Sequence, residues 1–206
     1  MEAQGIDISH WNEVTNFASV KASGISFVII KAGGSDKGLY TDRKFADNYR
    51  RAKQAGLNVG AYYFVGPKFQ GEANGIADAQ RFLKICEGKT FEYPLYLDIE
   101  STPANKREGT TAAAIAFLKT LEHAGCYAGF YTSDGLYRSL LIPEKLRAFD
   151  RWAARYSKHV PQAIENYGVW QYTDKGRVDG VRNYVDRDIA YKDYPAVMKE
   201  RGFNTL

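Results

Sequence analysis

The chain has 206 residues, 45% of them hydrophobic and 25% charged, which fits one globular domain, spanning 1–206, with a substantial core. Its net charge is only +4 and its basic residues form no dense run, which argues against a nucleic-acid-binding protein. The longest apolar run, around Phe27–Ile30, is too short to span a membrane. The two cysteines, Cys86 and Cys126, have no histidine at zinc-site spacing, and we expect buried free thiols, with a disulfide as the alternative.

The first two thirds of the sequence alternate between short apolar runs and amphipathic segments. Predicted strands cover 5–9, 26–31, 58–65, 93–100 and 127–132, and predicted helical segments cover 14–22, 42–55, 72–87, 110–124 and, more loosely, 133–141. This alternation predicts a parallel sheet covered by helices. The glycine-rich stretch 33–38 lacks the ending of a phosphate-binding loop and is interpreted as a flexible rim.

The pattern changes in the last third of the chain. Three more strands are predicted at 151–156, 168–173 and 183–188, and the connections between them are too short for a covering helix. A standard barrel of eight strand–helix units needs about 250 residues, whereas this chain reaches eight strands in 206. The sequence therefore predicts an α/β fold, a shortened TIM-like (β/α)5(β)3 barrel in a single domain.

Two acids end the fourth predicted strand, Tyr93–Glu100. Side chains alternate along a strand, so Asp98 and Glu100 share a face, with their Cα atoms about 6.5–7 Å apart. Two neighbouring acids at the end of a buried strand repel each other, which should raise the pKa of at least one of them. The alternative interpretation is a solvated strand end that runs into a loop.

In a TIM-like barrel the active site forms at the carboxyl ends of the strands. Other acids predicted at these ends are Asp7 on the first strand and Asp186 or Asp188 on the last. Aromatic and amide candidates there are Tyr62 or Tyr63, Tyr131, Trp152, Tyr156, and Trp170 or Gln171. An acidic cleft lined by stacking surfaces suits polysaccharide hydrolysis, in which a carboxylic acid protonates the glycosidic oxygen.

Each candidate also has a structural interpretation. Asp7 could cap the segment that follows it, and the two tryptophans could belong to the core. Asp186 and Asp188 could form the polar face of a strand, and Lys31 could pair with one of the acids. The three histidines show neither triad nor metal spacing, and we assign them no role.

With these residues in view, the chain resembles the glycoside hydrolase family 25 lysozymes, the Chalaropsis-type muramidases. The resemblance extends from Gly5 to about Ile189. The motifs that carry it are Asp7-Ile-Ser-His-Trp-Asn12, Phe27-Val-Ile-Ile-Lys-Ala32, Val59-Gly-Ala-Tyr-Tyr-Phe64, Leu97-Asp-Ile-Glu100, Gly129-Phe-Tyr-Thr132, Trp152-Ala-Ala-Arg-Tyr156 and Trp170-Gln-Tyr-Thr173. Members of that family have a barrel whose last three strands lack helices.

The resemblance implies residue roles as well as a fold. Glu100 would be the general acid/base, and Asp7, Asp98 and Asp186 would be the other catalytic acids. The substrate-binding residues would be Tyr62, Tyr131, Trp152, Gln171 and Asp188. Neither a metal nor a cofactor is expected. Tyr63 and Asp188 depart from the family pattern, which commonly has His and Asn there, and Gly33–Ser35 replaces a Thr-Glu-Gly-like segment.

The implied substrate is the glycan strand of bacterial peptidoglycan, cut at the β-1,4 bond between N-acetylmuramic acid and N-acetylglucosamine. The alternatives are a wall-binding module without activity, a chitinase-like glycosidase and a metal-dependent hydrolase. We expect a monomer that acts on the bacterial cell wall without nucleic-acid or membrane partners. The N-terminus shows no signal peptide, which suits release by a phage or a secreted form trimmed of its leader.

Overall fold

A computed structural model describes residues 2–206 and shows strands and helices in alternation. The strands are β1 Ala3–Ile8, β2 Phe27–Gly34, β3 Tyr40–Thr41, β4 Asn58–Val65, β5 Leu95–Ile99, β6 Ala128–Ser133, β7 Asp150–Ala154, β8 Val169–Gly176 and β9 Val185–Ala190. The helices are α1 Phe17–Ala22, α2 Phe45–Gln54, α3 Gly71–Cys86, α4 Arg107–His123, α5 Tyr137–Leu140 and α6 Tyr194–Arg201.

Eight of these strands close into a barrel. The order around it is β1, β9, β8, β7, β6, β5, β4 and β2, and β1 pairs with β2 to complete the ring. The connections β7–β8 and β8–β9 contain no helix, so the predicted shortened barrel is confirmed. Helix α6 follows the last strand and was not predicted, because only Tyr194 and Met198 on it are buried and no helical stripe appears in its sequence.

The last strand corrects the expectation of a fully parallel sheet. Strand β9 runs antiparallel to both of its neighbours, β1 and β8, whereas the other barrel pairs are parallel. Its amino end therefore lies beside the carboxyl ends of the other strands, and Asp186 pairs with Asp7. Asp186 thus reaches the site from the start of its strand, whereas the sequence pattern predicted that it would lie at the carboxyl end.

The glycine-rich stretch is also more ordered than the flexible rim that we predicted. Gly33 and Gly34 belong to β2 and pair with Thr41 and Tyr40 of β3 in a small antiparallel hairpin. A Cβ atom on Gly34 would lie 2.5 Å from the carbonyl oxygen of Phe64, so only glycine allows the backbones to approach this closely. The hairpin forms part of the rim of the barrel mouth.

The core has two layers, one between the barrel and the helices and one inside the barrel. The outer layer is aliphatic and phenylalanine-rich, whereas the inner layer contains many tyrosines together with Trp152. The inner side chains include Phe27, Ile29, Tyr62, Tyr93, Tyr96, Tyr131, Trp152 and Tyr194. Burial of each large apolar side chain contributes about 1.5–3 kcal/mol to the free energy of unfolding. Cys86 and Cys126 are buried free thiols, as predicted.

The inward-facing side chains of each strand continue from the inner layer of the core to the mouth of the barrel. Along β5 the inward positions are Tyr96 and Asp98, followed by Glu100 just past the strand end. Along β2 they are Phe27 and Ile29, followed by Lys31. The inward side chains therefore change from aromatic or aliphatic at the base to charged at the mouth. None of the helices between residues 2 and 206 is long and apolar enough to cross a membrane.

Candidate active site

A cavity of about 130 Å³ opens at the mouth of the barrel and is lined mainly by polar groups. Its lining residues are Asp7, Tyr62, Asp98, Glu100, Tyr131, Trp152, Tyr156, Gln171 and Asp186. The structure thus brings together all four acids that the sequence suggested as catalytic, from strands at the beginning, middle and end of the chain. It also places four of the five expected substrate-binding residues, Tyr62, Tyr131, Trp152 and Gln171, in the same lining.

The pair at the end of β5 is the centre of this cavity. Asp98 is 4% exposed, and its pKa is raised well above the ordinary value by burial and then by the neighbouring charge of Glu100. The pKa of Glu100 is also raised, mainly by burial, although Lys31 and a hydrogen bond with Asp98 oppose the shift. The Oδ1 atom of Asp98 has no hydrogen-bond donor within the described part of the chain. A buried oxygen without a donor favours the neutral acid, which acts in the same direction as burial on the pKa of Asp98.

Asp7 lies across the cavity, at the end of β1. Its Oδ2 atom accepts a hydrogen bond of 2.6 Å from Nε2 of Gln171, which lowers its pKa. Burial has a larger effect in the opposite direction, and the charges of Asp186 and Asp188 add to it, so the pKa of Asp7 stays well above its usual range. Asp7 is therefore a second buried acid whose neutral form is favoured relative to that of a free aspartate.

Asp186 is partly buried, whereas Asp7 and Asp98 are buried and Glu100 is exposed. Burial, with the charges of Asp174 and Glu100, raises the pKa of Asp186 to about 6. A carboxyl group with this pKa exchanges its proton in the range where many enzymes operate. Its position at the cavity wall follows from the antiparallel direction of β9.

Asp188 does not line the cavity, although we expected it to contact the substrate. Its side chain is fully buried one layer deeper, where its Oδ1 atom accepts a 2.8 Å hydrogen bond from Nε1 of Trp152. It also shares a hydrogen bond with Asp7. Because β9 side chains alternate, Asp186 and Asp188 both face inward, but Asp188 lies two residues deeper in the barrel. Its place suits it to orient Trp152 and Asp7, not to contact a sugar.

Gln171 connects three side chains of the site. While its amide nitrogen donates to Asp7, its Oε1 atom accepts hydrogen bonds of 2.8 Å from the hydroxyl groups of Tyr131 and Tyr156. Tyr156 is 52% exposed and lies at the edge of the cavity. The sequence places this tyrosine at a strand end, but spacing alone does not show that its hydroxyl group turns inward.

Lys31 lies beside the Asp98–Glu100 pair. The sequence alone indicated only that it could form a structural ion pair with one of the acids. The positive charge of Lys31 lowers the pKa of both Asp98 and Glu100. Its Nζ atom lies 4.3 Å from the ring centroid of Phe64 and forms no ion pair within the described chain. The alternation Phe27, Ile29, Lys31 on a buried strand was the available signal, since it places Lys31 on the inner face at the barrel mouth.

A second and larger cavity, about 440 Å³, adjoins the first on the side of β6 and β7. The two cavities share Glu100, Tyr131 and Tyr156, so they form one continuous depression. The outer part is lined further by Ser133, Asp134, Gly135, Ala154 and Arg155. Asp134 accepts backbone hydrogen bonds from Gln162, Ala163 and Ile164, which ties the long β7–β8 connection to this wall. The depression therefore extends beyond the four acids towards β6 and β7.

Metal ligation was one alternative for the acids. Within residues 2–206, no group of three or more His, Cys, Asp or Glu side chains is arranged to hold a metal ion. The four lining acids lie among the aromatic side chains of Tyr62, Tyr131 and Trp152.

Comparisons with known proteins agree with this geometry. Residues 6–181 match the family described as glycosyl hydrolases family 25. The chain is 32% identical to lysozyme M1 of Streptomyces globisporus, with 90% of this chain and 66% of the relative covered. It is 30% identical to N,O-diacetylmuramidase of Chalaropsis sp., with 90% and 95% covered. The crystal structure of the bacterial lysozyme from Streptomyces coelicolor superposes with a TM-score of 0.78 at 28% identity, covering 92% of each chain.

Some curated relatives are considerably longer than this chain. It spans 66% of the Streptomyces globisporus protein and 55% of another bacterial relative. The family match nevertheless includes every strand that contributes an acid to the cavity except β9, which carries Asp186 and lies beyond residue 181. The chain belongs to glycosyl hydrolase family 25.

Proposed function

We propose that this chain is an N-acetylmuramidase, a lysozyme that hydrolyses the β-1,4 bond between N-acetylmuramic acid and N-acetylglucosamine in bacterial peptidoglycan. The observation that carries the proposal is the pairing of buried Asp98 with Glu100, which is exposed to the cavity, among further acids and aromatic rings. Family membership and the names of the relatives, lysozyme and N,O-diacetylmuramidase, support the choice of bond.

Glu100 is the proposed general acid. Its raised pKa keeps the carboxyl group protonated at a pH where a free glutamate would be ionised, so it can donate to the glycosidic oxygen as the carbon–oxygen bond breaks. It lies in both adjoining cavities, so a sugar on either side of the cleaved bond can reach it. After the leaving sugar departs, the ionised Glu100 can take a proton from the incoming water.

Asp98 is proposed to assist at the anomeric carbon. Asp98 lines the cavity beside Glu100, and its carboxyl group would accept a hydrogen bond from the N–H of the sugar's 2-acetamido group. That contact would orient the acetamido oxygen to attack its own anomeric carbon, a substrate-assisted route with retention of configuration. In the alternative inverting route, Asp7 or Asp186 would activate water directly.

The aromatic residues are proposed to hold the sugar rings. Tyr62, Tyr131 and Trp152 form the base of the cavity, with the Tyr131 and Trp152 ring centroids 4.5 Å apart. Such rings offer apolar faces to the C–H groups of a sugar, while the Gln171 amide oxygen holds the hydroxyl groups of Tyr131 and Tyr156 in place. We propose that the protein acts as a monomer on the cell wall.

The test is a digestion of purified peptidoglycan, followed by borohydride reduction of the new ends and mass spectrometry. Reduced muramic acid at the new ends is the expected result. Reduced glucosamine would replace the muramidase assignment with a glucosaminidase, and cleavage of chitin oligomers without cleavage of peptidoglycan would indicate a chitinase-like enzyme. Binding without new ends would indicate a wall-binding module, and loss of activity with a chelator would indicate a metal-dependent hydrolase.

A further inference from the structure

The most exposed large apolar side chain in the described chain is Trp11, at 80% exposure. The other two tryptophans, Trp152 and Trp170, are 2% and 8% exposed. An indole left almost fully in water covers no core, and its apolar ring is accessible to a ligand. The proposed mechanism does not use it, since it does not line either cavity of the site.

The segment that carries Trp11 is held firmly by hydrogen bonds. The backbone N–H of Ser9 donates to Oδ1 of Asn12, and the backbone N–H of Asn12 donates to the carbonyl oxygen of Ser9. The backbone N–H of Trp11 donates to Oγ of Ser9. Lys44 donates to the carbonyl oxygen of Asn12 over 3.0 Å. The backbone that presents the indole is therefore fixed before any partner arrives, which lowers the entropy lost on binding.

The orientation of the indole is also set. The His10 ring packs against it with centroids 4.5 Å apart and planes 37° apart. His10 is in turn anchored to Asp42, whose Oδ2 atom bonds to its backbone N–H at 3.0 Å and to Nδ1 at 2.7 Å. The imidazole supports one face of the indole, and the opposite face is left open to solvent.

Trp11 lies at the same end of the barrel as the acids. It follows Asp7 by four residues at the carboxyl end of β1, so their Cα atoms are at most about 14 Å apart. Its neighbour His10 is bound to Asp42, next to the β2–β3 hairpin, which places it on the β1–β2 side of the mouth. In the strand order of the barrel, that side lies opposite β6 and β7, where the larger cavity opens.

We propose that Trp11 is a stacking platform for a sugar of the glycan strand, several residues from the cleaved bond. The strand would cross the mouth from Trp11, over the acids, to the cavity beside Tyr156. An indole with one supported and one open face fits the apolar face of a pyranose ring, and its position continues the line of the two cavities. This inference rests on the proposed function and adds a subsite to it, with His10 and Asp42 as positioning residues.

The test uses glycan strands freed of their stem peptides, as a long octasaccharide, titrated against the full chain carrying Glu100→Gln to prevent cleavage. Adding Trp11→Ala should weaken binding between about two- and tenfold, and Trp11→Phe should restore most of it. Tyr191→Ala is the matched control and should leave the affinity unchanged. Tyr191 is a partly exposed aromatic residue just past the carboxyl end of β9, at the end of the barrel away from the acids. Iodide should quench the emission of Trp11, and the bound octasaccharide should protect it.

Several results would overturn the proposal. Equal affinities of the Trp11→Ala and parent proteins, or iodide quenching unchanged by the octasaccharide, would each exclude a sugar on the indole. A dimer in sedimentation that Trp11→Ala converts to a monomer would assign the indole to a contact between copies. These outcomes leave the proposed function intact if the wild-type protein still cleaves peptidoglycan, whereas a wild-type protein that neither binds nor cleaves the glycan would overturn both.

Discussion

Gln171 and Asp7, which are 164 residues apart in the chain, are joined by a hydrogen bond of 2.6 Å between Nε2 and Oδ2. The same glutamine accepts hydrogen bonds from Tyr131 and Tyr156. One amide therefore fixes an acid on one side of the cavity and two aromatic hydroxyl groups on the other. It is the connection through which β8 positions groups on β1, β6 and the end of β7.

Gln171→Leu removes this connection. Asp7 loses the hydrogen bond that lowers its pKa, so the pKa of Asp7 should rise further, and the two tyrosine hydroxyl groups lose their acceptor. We expect kcat/KM to fall about ten- to a hundredfold in a folded protein. Tyr156→Phe is the control, because it leaves the contact between Gln171 and Asp7 in place and should cost less. Unchanged kcat/KM in Gln171→Leu would show that this bond does not position the site.

Lys31→Met tests the electrostatics of the central pair. The lysine charge lowers the pKa values of Asp98 and Glu100, so its removal should raise both. Glu100 would then remain protonated to a higher pH, and the alkaline limb of the kcat/KM profile should move upward in pH. Lys31→Arg keeps the charge and should leave the limb close to its wild-type position. A limb that moves to lower pH in Lys31→Met would contradict the assignment of Glu100 as the acid.

Asp186→Asn should change stability in a pH-dependent way. The pKa of Asp186 is about 6 in the folded protein against an ordinary value of 3.8, so the folded state holds a proton that the unfolded state releases over this interval. Stability attributable to this group is therefore present below about pH 4 and lost as the pH rises towards 6. Asp186→Asn should raise the free energy of unfolding by about 1–3 kcal/mol at pH 8 and change it little at pH 4. Urea denaturation at both pH values measures the difference, and an equal effect at both would contradict it.

Substitution of Asp150 should lower the stability of the protein without lowering its activity. Asp150 lies at the start of β7, at the base of the barrel, where its buried carboxylate bonds to Nζ of Lys192 at 2.5 Å and to the hydroxyl group of Tyr194. Asp150→Ala leaves both partners without an acceptor and should lower the free energy of unfolding by about 2–4 kcal/mol. Because the acids lie at the opposite end, kcat per folded molecule should stay near the wild-type value. A large loss of kcat with unchanged stability would contradict this division of the barrel.

The fold was largely predictable, because its determinants are local patterns. Strand β4 falls on the predicted residues 58–65, and the lack of helices between the last strands follows from connection length. The direction of β9 was not predictable, since alternating side chains look the same from either end. The two-residue strand β3 is too short for any periodicity, and α6 buries only Tyr194 and Met198.

The sequence predicted which acids lie together in the site, but not how deep in the barrel each side chain lies. Acids at strand ends were enough to group Asp7, Asp98, Glu100 and Asp186, because a barrel brings strand ends together. Sequence could not show that Asp188 lies below the cavity under Trp152, since its depth depends on the register between β9 and β1. Nor could it show the partners of Gln171, which lie on other strands.

The most direct measurement is the rate at which Glu100→Gln releases new reducing ends from purified peptidoglycan, compared with wild type and with Glu200→Gln. Glutamine keeps the size of the side chain but cannot give up a proton, and Glu200 is an exposed residue of α6. The account predicts a loss of about 100- to 10,000-fold for Glu100→Gln, an unchanged melting curve, and a wild-type rate for Glu200→Gln. A rate for folded Glu100→Gln near that of wild type would contradict the central claim that Glu100 donates the proton.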